Sequence, residues 1–148
     1  MARDYREAHL EEWLFNNPDL FEKEMRWLSR QRDVFWNGEK IGKTDLQGID
    51  VNKNIIIIEL KAQELNHRDL SQALCYWRSV STHSGQSDPR LIFIGTKMST
   101  RFRIVFEWLQ EICDIKMEVY FYEKEGESYF FRKYDKEVEE SFCVPLFL

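Results

Sequence analysis

Cysteine, proline and glycine are scarce in this sequence of 148 residues, with three, three and six copies. The cysteines, Cys75, Cys113 and Cys143, are odd in number, widely spaced and without a C-x-x-C pair. This pattern argues against a disulfide framework and against a cysteine zinc site, so we predict buried free thiols. The few prolines and glycines leave little sequence for a flexible linker, and the length predicts one domain over residues 1–148.

The sequence also lacks a long apolar run. No stretch approaches the ~18–20 apolar residues that cross a bilayer, and the start, from Met1 to Tyr5, has no apolar signal core. We therefore expect an intracellular, cytoplasmic protein with no membrane partner.

Positive charge is in the minority, because 21 Lys and Arg face 26 Asp and Glu, for a net charge of −5. This is the strongest compositional argument against a protein that binds nucleic acid. A bound cation can offset acidic site residues, however, and local basic clusters affect phosphate binding more than the total charge does. The candidate clusters are Arg26, Arg30 and Arg32, then Lys40 and Lys43, then Arg101 and Arg103.

Aromatic residues, by contrast, are plentiful, since 11 Phe, six Tyr and five Trp can form a large core. Apolar periodicity predicts helices over residues 3–15, 18–30, 66–80 and 100–112. Apolar runs and turn signals predict strands over residues 34–36, 91–94, 116–124 and 128–134, and a hairpin centred on residues 51–54. This order predicts an α/β fold with one central mixed β-sheet flanked by helices.

The strongest chemical signal is two acids and a lysine on the two strands of this hairpin. Asp45 precedes the turn, and Glu59 and Lys61 end the apolar run that follows it. The hairpin brings residue 45 level with residues 59–60, and side chains two apart on a strand share a face. Two neighbouring carboxylates can bind Mg²⁺ or Mn²⁺, which activates a water against phosphorus, and Lys61 can orient that water. The spacing of Asp45 favours this metal site over the alternative, a solvated Glu–Lys pair.

Two predicted helices can add polar groups to the same site. Glu7 and Glu11 share the apolar stripe of the first helix, where an acid is costly unless it faces a polar pocket. Glu7 would then be a further metal ligand or a base at this site. The alternative is that Glu7 lies at the edge of the stripe and reaches solvent. In the helix after the hairpin, Gln72 and Tyr76 fall on a stripe that can face the cleft, and an exposed polar face is the alternative there.

Residues 42–61 contain Gly-Lys-Thr-Asp-Leu-Gln-Gly-Ile-Asp and then Ile-Ile-Ile-Ile-Glu-Leu-Lys. This stretch resembles the core of the PD-(D/E)xK nuclease superfamily. Within it, the chain resembles the C-terminal nuclease domain of the NucS/EndoMS family, in which an Arg-Glu-Ala-like helix and an Asn-Pro precede the hairpin and a Gln-x-x-x-Tyr helix follows. The likeness covers residues 6 to about 80, and more loosely extends to residue 122.

The resemblance implies a restriction-endonuclease-like fold and a Mg²⁺- or Mn²⁺-dependent endonuclease that hydrolyses DNA, as in DNA repair. The roles that it implies are metal binding by Asp45, Glu59 and Glu7, assistance to the attacking water by Lys61, and support of the site by Gln72 and Tyr76. Two departures stand out. Thr44 occupies the position of the proline that names the superfamily, and the long gap between Glu7 and Asp45 leaves Glu11 as a rival to Glu7.

The sequence contains no counterpart of the separate N-terminal DNA-binding and dimerisation domain of that family. We therefore expect DNA structure or a protein partner to set the substrate. Cutting both strands needs two sites, so a homodimer is a further expectation. The alternative function is a catalytically inactive nuclease-fold module that binds nucleic acid or a protein partner. The site chemistry addresses phosphate and metal but not the sugar, so RNA is also a candidate substrate.

Overall fold

A six-stranded mixed sheet forms the centre of the structure, with helices on both of its faces. The computed structural model describes residues 3–85 and 88–138. Its helices are α1 (Tyr5–Asn16), α2 (Pro18–Phe21), α3 (His67–Ser84) and α4 (Thr100–Ile112). Its strands are β1 (Arg26–Trp36), β2 (Glu39–Ile49), β3 (Ile55–Leu60), β4 (Glu64–Leu65), β5 (Arg90–Gly95), β6 (Lys97–Met98), β7 (Lys116–Glu125) and β8 (Ser128–Lys133).

The strands of the main sheet follow the order β1-β2-β3-β5-β7-β8. The first three form an antiparallel meander, β3, β5 and β7 are parallel neighbours, and β8 returns antiparallel to β7. The chain crosses between the parallel strands through α3 and α4, as parallel pairing requires. β4 and β6 form a separate two-stranded sheet. The predicted α/β fold, with a central mixed sheet flanked by helices, is confirmed.

The side chains of β3 point alternately to the two faces of the sheet, and each face has its own apolar cluster. Ile56 and Ile58 belong to the apolar cluster that includes α1, whereas Ile57 belongs to the cluster that includes α3 and α4. Successive side chains of a strand point to opposite faces, so Glu59 emerges on the α3 side together with Ile57.

Asp50 holds the turn of the predicted hairpin between β2 and β3. Its Oδ1 accepts hydrogen bonds from the backbone N–H groups of Asn52 at 2.9 Å and Asn54 at 2.8 Å. Lys53 takes a left-handed conformation with φ of +66°. A side-chain oxygen that satisfies two turn amides makes this a well-defined reversal, and the prediction of a hairpin about residues 51–54 is confirmed.

The prediction of a helix over residues 18–30 is wrong beyond its first turn. α2 ends at Phe21, Glu24 has a φ of +65°, and β1 starts at Arg26. The reason is tertiary, because β1 pairs with β2 from Arg26 to Trp36, which gives its backbone groups partners that no local pattern reveals. Leu28, one of the apolar residues that suggested a helical stripe, is 54% exposed. The strand predicted at residues 34–36 is the end of β1.

The helix predicted from Asn66 is present and extends four residues beyond its predicted end at residue 80, to Ser84. The Asn66 side chain accepts from the backbone N–H of Arg68 and Asp69, as an N-cap does. Gly85 ends the helix in a left-handed conformation with φ of +73°.

The prediction of buried thiols is wrong for Cys75, which is exposed on α3, and Cys113 is only half-buried. Cys75 lies on the solvent side of α3, one position beyond the apolar stripe that packs on the sheet. Cys143 lies outside the described residues. Within those residues, no helix is both long enough and apolar enough to cross a membrane.

Candidate active site

The register of β2 and β3 brings the two predicted acids together. Leu46 pairs with Ile58, so the next positions along the two strands are Asp45 and Glu59. The backbone N–H of Leu60 donates to Asp45 Oδ2 at 2.8 Å, which ties the carboxylate to the end of β3. Asp45 is thus level with residues 59–60, as the hairpin predicts.

A cleft of about 200 Å³ lies beside this pair of carboxylates. Its walls come from α1, the β2–β3 hairpin and the face of α3 that carries Asp69, Gln72 and Tyr76. All six residues predicted for the site line it, namely Glu7, Asp45, Glu59, Lys61, Gln72 and Tyr76, together with Gly42, Lys43, Leu60, Leu65 and Asp69.

The Glu59 carboxylate is only partly compensated, by a backbone hydrogen bond at Asp45. Its Oε1 is buried and has no hydrogen-bond partner among the described residues. Burial, together with the negative charge of Asp45, raises the pKa of Glu59 well above its usual value. Burial likewise raises the pKa of Asp45, although the Leu60 N–H and the Arg3 guanidinium oppose that rise. Two desolvated carboxylates side by side therefore favour a proton or a cation between them.

The donor set of this pair fits a divalent cation that prefers oxygen. An unpaired buried carboxylate oxygen beside a second carboxylate provides two hard ligands, and Mg²⁺ commonly takes one or two carboxylates and fills its other positions with water. Among the described residues, no group of three His, Cys, Asp or Glu side chains is arranged to hold a metal ion. Asp45 and Glu59 would hold the cation, with further positions left for water and substrate oxygens.

Glu7 lines the cleft, but its carboxylate is hydrogen-bonded to the backbone after β3. Its Oε1 accepts a hydrogen bond from the backbone N–H of Ala62 at 3.1 Å, just after β3. The structure therefore places the predicted third carboxylate at the cleft without bringing it into a three-acid cluster with Asp45 and Glu59.

Glu11, the rival of Glu7, lies behind the cleft and does not line it. It is 1% exposed and accepts hydrogen bonds from Arg30 Nε at 2.8 Å and Gln31 Nε2 at 2.6 Å, with Arg3 at 3.1 Å from its Oε1. Burial opposes its ionisation, but these three partners outweigh burial and lower the pKa of Glu11. Glu11 is thus a charged anchor for basic and amide side chains, and Glu7 is the helix acid at the cleft.

Sequence reasoning missed Gln31 and Arg3, which both connect Glu11 to Asp45. Gln31 Nε2 donates to Asp45 Oδ1 at 3.2 Å as well as to Glu11, and Arg3 lies 3.6 Å from the same Asp45 oxygen. Gln31 adopts a left-handed φ of +52° between two regularly paired residues of β1. The mistaken helix over residues 18–30 left this strand, and with it Gln31, without a predicted position beside Asp45.

Lys61 forms an ion pair with Asp69. The sequence analysis did not assign Asp69 to the site. Lys61 Nζ lies 3.2 Å from Asp69 Oδ1, while Asp69 Oδ2 accepts from the backbone N–H of Asn66 at 2.7 Å. Burial is the largest single effect and disfavours the Lys61 ammonium, but the charge and hydrogen bond of Asp69, together with the charges of Glu7 and Asp45, outweigh burial and raise the pKa of Lys61. Lys61 is therefore a cation near neutral pH, which can donate a hydrogen bond but cannot act as a base.

Tyr76 forms the floor of the cleft. Its hydroxyl occupies the space that a side chain at position 42 would need, so that position requires glycine. Tyr76 is 1% exposed, and burial, with the charge of Glu59, raises its pKa to about 12. The phenol therefore stays neutral and can donate a hydrogen bond. Gly42 has a φ of +152°, and a Cβ at that position would overlap the Tyr76 hydroxyl. Gln72, four residues earlier on α3, is exposed at the mouth of the cleft.

Comparisons with solved structures show which proteins share this fold. A structure titled as an EndoMS–double-stranded DNA complex aligns with a TM-score of 0.65 at 20% identity, over 84% of this chain and 48% of the other. A repair endonuclease from Pyrococcus abyssi aligns with a TM-score of 0.61 at 23% identity, over 78% of this chain and 48% of the other.

Sequence comparisons identify relatives of the same kind. Endonuclease NucS of Pyrococcus horikoshii is 27% identical over 93 residues, which cover 58% of this chain and 35% of the relative. Endonuclease NucS of Pyrococcus furiosus is 28% identical over 92 residues, which cover 57% and 33%. The chain thus spans about a third of the length of these relatives. The family model of the endonuclease NucS C-terminal domain matches residues 6–112, well over half of the chain. The chain belongs to the family of endonuclease NucS C-terminal domains.

Proposed function

We propose that this protein is a Mg²⁺- or Mn²⁺-dependent endodeoxyribonuclease that hydrolyses phosphodiester bonds in DNA. The observation that carries the proposal is the unpaired buried Oε1 of Glu59 beside Asp45, with the Lys61 ammonium in the same cleft. A divalent cation bound there supplies Lewis-acid activation of water against phosphorus. Membership of the NucS C-terminal domain family supports endonuclease activity, and the DNA complex of a protein with this fold supports DNA as the substrate.

The remaining residues have roles that follow from their contacts. Asp45 and Glu59 would hold the cation. Glu7 lines the same cleft from α1, where its carboxylate can accept a hydrogen bond from a water. Lys61 remains protonated beside Asp69, so it donates to the attacking water or to a phosphate oxygen. The neutral phenol of Tyr76 and the amide of Gln72 donate hydrogen bonds to substrate oxygens or to water.

We further propose that DNA structure or a protein partner selects the substrate. The aligned residues, 93 and 92 in number, cover only about a third of the length of the two curated relatives. The likeness therefore does not support carrying over how the complete relatives recognise their substrates. Cleavage of both strands of a duplex would need two such sites, through a homodimer or a partner nuclease.

Two observations favour a second function, a nuclease-fold module that binds nucleic acid or a protein and cuts nothing. The described residues contain no three-carboxylate cluster, and the chain carries a net charge of −5. The two functions differ in whether divalent ions bind at Glu59.

The test is cleavage of single-stranded, duplex, mismatched and flapped DNA in Mg²⁺, Mn²⁺ or chelator. Glu59→Gln is the site variant, and Glu111→Gln, at a glutamate 65% exposed on α4, is the matched control. We expect metal-dependent cleavage by the wild type and the control but not by Glu59→Gln. A thermal shift by Mn²⁺ in the wild type and its loss in Glu59→Gln report metal binding separately. Cleavage in chelator, or full activity of Glu59→Gln, contradicts the proposal.

A further inference from the structure

Lys61 lies one residue past the end of β3, where the chain leaves the central sheet. Its backbone N–H donates to the Ile94 carbonyl of β5 at 2.9 Å, and the next residue, Ala62, is only 6% exposed. Buried backbone N–H and C=O groups need hydrogen-bond partners. The partners of Ala62 therefore decide how firmly the chain is held beside Lys61.

Two side chains from distant elements bind the backbone of Ala62. Glu7 Oε1, on α1, accepts from the Ala62 N–H at 3.1 Å. The Tyr122 hydroxyl, on β7, donates to the Ala62 carbonyl at 2.5 Å. Burial raises the pKa of Tyr122, so the phenol keeps its proton near neutral pH and remains a donor. Ala62 is thus held through both its N–H and its C=O.

The two residues that hold Ala62 are also connected to each other. The Tyr122 ring packs against the ring of Tyr129 on β8, with the ring centroids 5.8 Å apart. The Tyr129 hydroxyl lies 2.7 Å from Nδ1 of His9, which is two residues beyond Glu7 on α1. These contacts join α1, β7 and β8 around Ala62, so Glu7 and Tyr122 keep a fixed separation.

This support fixes the backbone of Lys61. The peptide groups on both sides of its Cα are hydrogen-bonded, one through the Lys61 N–H to Ile94 and the other through the Ala62 N–H to Glu7. The Lys61 ammonium lies at the cleft, 3.2 Å from Asp69. Because the lysine stem is long and flexible, a loosened backbone would let the ammonium leave this position.

We propose that Tyr122 is a positioning residue, whose hydroxyl holds Ala62 so that the Lys61 ammonium stays at the cleft. The inference rests on the proposed function, which gives Lys61 its part in the reaction. Tyr122 lies outside residues 6–112, which the family model matches, so membership of the family assigns it no role. The role follows from the contacts of this chain.

Kinetics of Tyr122→Phe, which removes the hydroxyl and keeps the ring, test the role. We expect kcat to fall on the order of tenfold, because a displaced catalytic group costs rate. The Mn²⁺ concentration for half-maximal rate should stay unchanged, because Asp45 and Glu59 keep their contacts. Tyr120→Phe is the matched control, since it removes a hydroxyl from the same face of β7 that donates to Glu118 at 3.1 Å. This control should cleave like the wild type.

A double-mutant cycle with Lys61→Met separates positioning from a general loss of structure. If Tyr122 acts through Lys61, Tyr122→Phe has no further effect on kcat once Lys61 is methionine. A merely structural role would lower kcat by the same factor in both backgrounds. Single-turnover reactions with enzyme in excess measure the slow rates that this comparison needs.

Amide hydrogen exchange followed by NMR tests the same contact without cleavage. In the wild type, the Ala62 N–H should exchange as slowly as the amides of β3, although Ala62 lies beyond that strand. Tyr122→Phe should speed its exchange by on the order of tenfold or more, whereas Tyr120→Phe should not. If Tyr122→Phe does not fold, the wild type decides the question, because fast exchange at Ala62 overturns the inference and slow exchange supports it.

An unchanged kcat in Tyr122→Phe, an equal loss in the Lys61→Met background, or unchanged exchange at Ala62 overturns the inference. The two proposals fail separately. A wild type that cleaves no DNA contradicts the nuclease, and hydrogen exchange then still decides whether Tyr122 holds Ala62. A metal-dependent nuclease with wild-type kcat in Tyr122→Phe contradicts only the positioning role.

Discussion

Gln31 and Asp45 face each other across β1 and β2, and Gln31 Nε2 donates to Asp45 Oδ1 at 3.2 Å. The same nitrogen donates to Glu11 Oε1 at 2.6 Å, so both amide hydrogens are used. Glu11 is buried and fixed by Arg30, which makes it a rigid support. The amide thus holds the orientation of a proposed metal ligand from behind the cleft, which makes Gln31 a positioning residue in the proposed nuclease.

This relationship predicts that Gln31→Gly lowers activity without destabilising the protein. Gln31 has a φ of +52°, which glycine adopts at no steric cost, so the backbone tolerates the change. Loss of the amide leaves Asp45 less restrained, and we expect kcat to fall on the order of tenfold and the Mn²⁺ concentration for half-maximal rate to rise.

Kinetics over a Mn²⁺ titration and thermal unfolding measure the two effects separately. Gln31→Met serves as the matched variant, because it keeps the side-chain volume but has no donor. Wild-type kinetics in both variants would refute a positioning role for Gln31, and a large loss of stability in Gln31→Gly would show that the role is structural.

Glu59→Gln should stabilise the metal-free protein near neutral pH. The pKa of Glu59 is raised by burial and by Asp45, so the folded state binds a proton that the unfolded chain releases. Stability from this group is therefore present below the ordinary glutamate pKa and is lost as the pH rises through the raised value. Removal of an unpaired buried charge is worth about 1–2 kcal/mol, and we expect a higher Tm at pH 7.5.

Thermal unfolding from pH 4 to pH 8 checks this prediction. The difference between Glu59→Gln and the wild type should vanish at the acidic end, and Glu111→Gln should follow the wild type throughout. Saturating Mn²⁺ should reduce or reverse the difference, because only the wild type has both proposed ligands. A Glu59→Gln protein less stable than the wild type at every pH contradicts the account of an only partly compensated carboxylate.

Asp69→Asn should shift the pH dependence of cleavage to lower pH on its alkaline side. Asp69 raises the pKa of Lys61 by its charge at 3.2 Å, whereas burial alone would lower it. If the Lys61 ammonium is the donor, activity declines as the pH rises through its pKa, so removal of Asp69 moves that decline downwards.

The measurement is the pH profile of kcat in Mg²⁺ for Asp69→Asn against the wild type. Lys61→Met is the reference, and it should lack this limb of the profile and lose on the order of a hundredfold in rate. An unchanged alkaline limb in Asp69→Asn would show that the ion pair does not set the protonation of Lys61.

Gly42→Ala should be more destabilising than Gly38→Ala. Both glycines have positive φ, +152° and +80°, but a Cβ on Gly42 would overlap Tyr76 whereas nothing lies within 4 Å of one on Gly38. We expect Gly38→Ala to cost about 1 kcal/mol from backbone strain and Gly42→Ala about 1–3 kcal/mol more from the overlap.

Urea unfolding of both variants measures this difference. The comparison separates strain from contact, since the two substitutions are chemically identical. Equal losses for the two glycines would mean that Tyr76 moves aside freely and does not form a rigid floor to the cleft.

The sequence determined the central hairpin and its chemistry because these depend on short-range patterns. A polar turn after Asp50 sets the register of β2 and β3, and this register brings Asp45 level with Glu59. Their proximity can therefore be predicted without knowing the rest of the fold. The helix that begins at Asn66 was also predictable, because its cap and its apolar stripe lie within one segment. The catalytic roles of these residues stay predictions.

The sequence alone did not reveal what surrounds that hairpin. β1 is a strand because β2 pairs with it along its length, and this contact overrode a local apolar periodicity that suggested a helix. Only after that pairing does Gln31 reach Asp45, and only the packing of α1 separates Glu7 at the cleft from Glu11 behind it.

The sequence by itself thus determined the α/β class, the family likeness and the acids and lysine of one hairpin, since residues close along the chain specify them. Tertiary structure decided the network that supports Asp45 and the pairing of Lys61 with Asp69. These features join segments that are far apart in sequence, and their energies arise from burial and contact, which exist only after the segments have packed together.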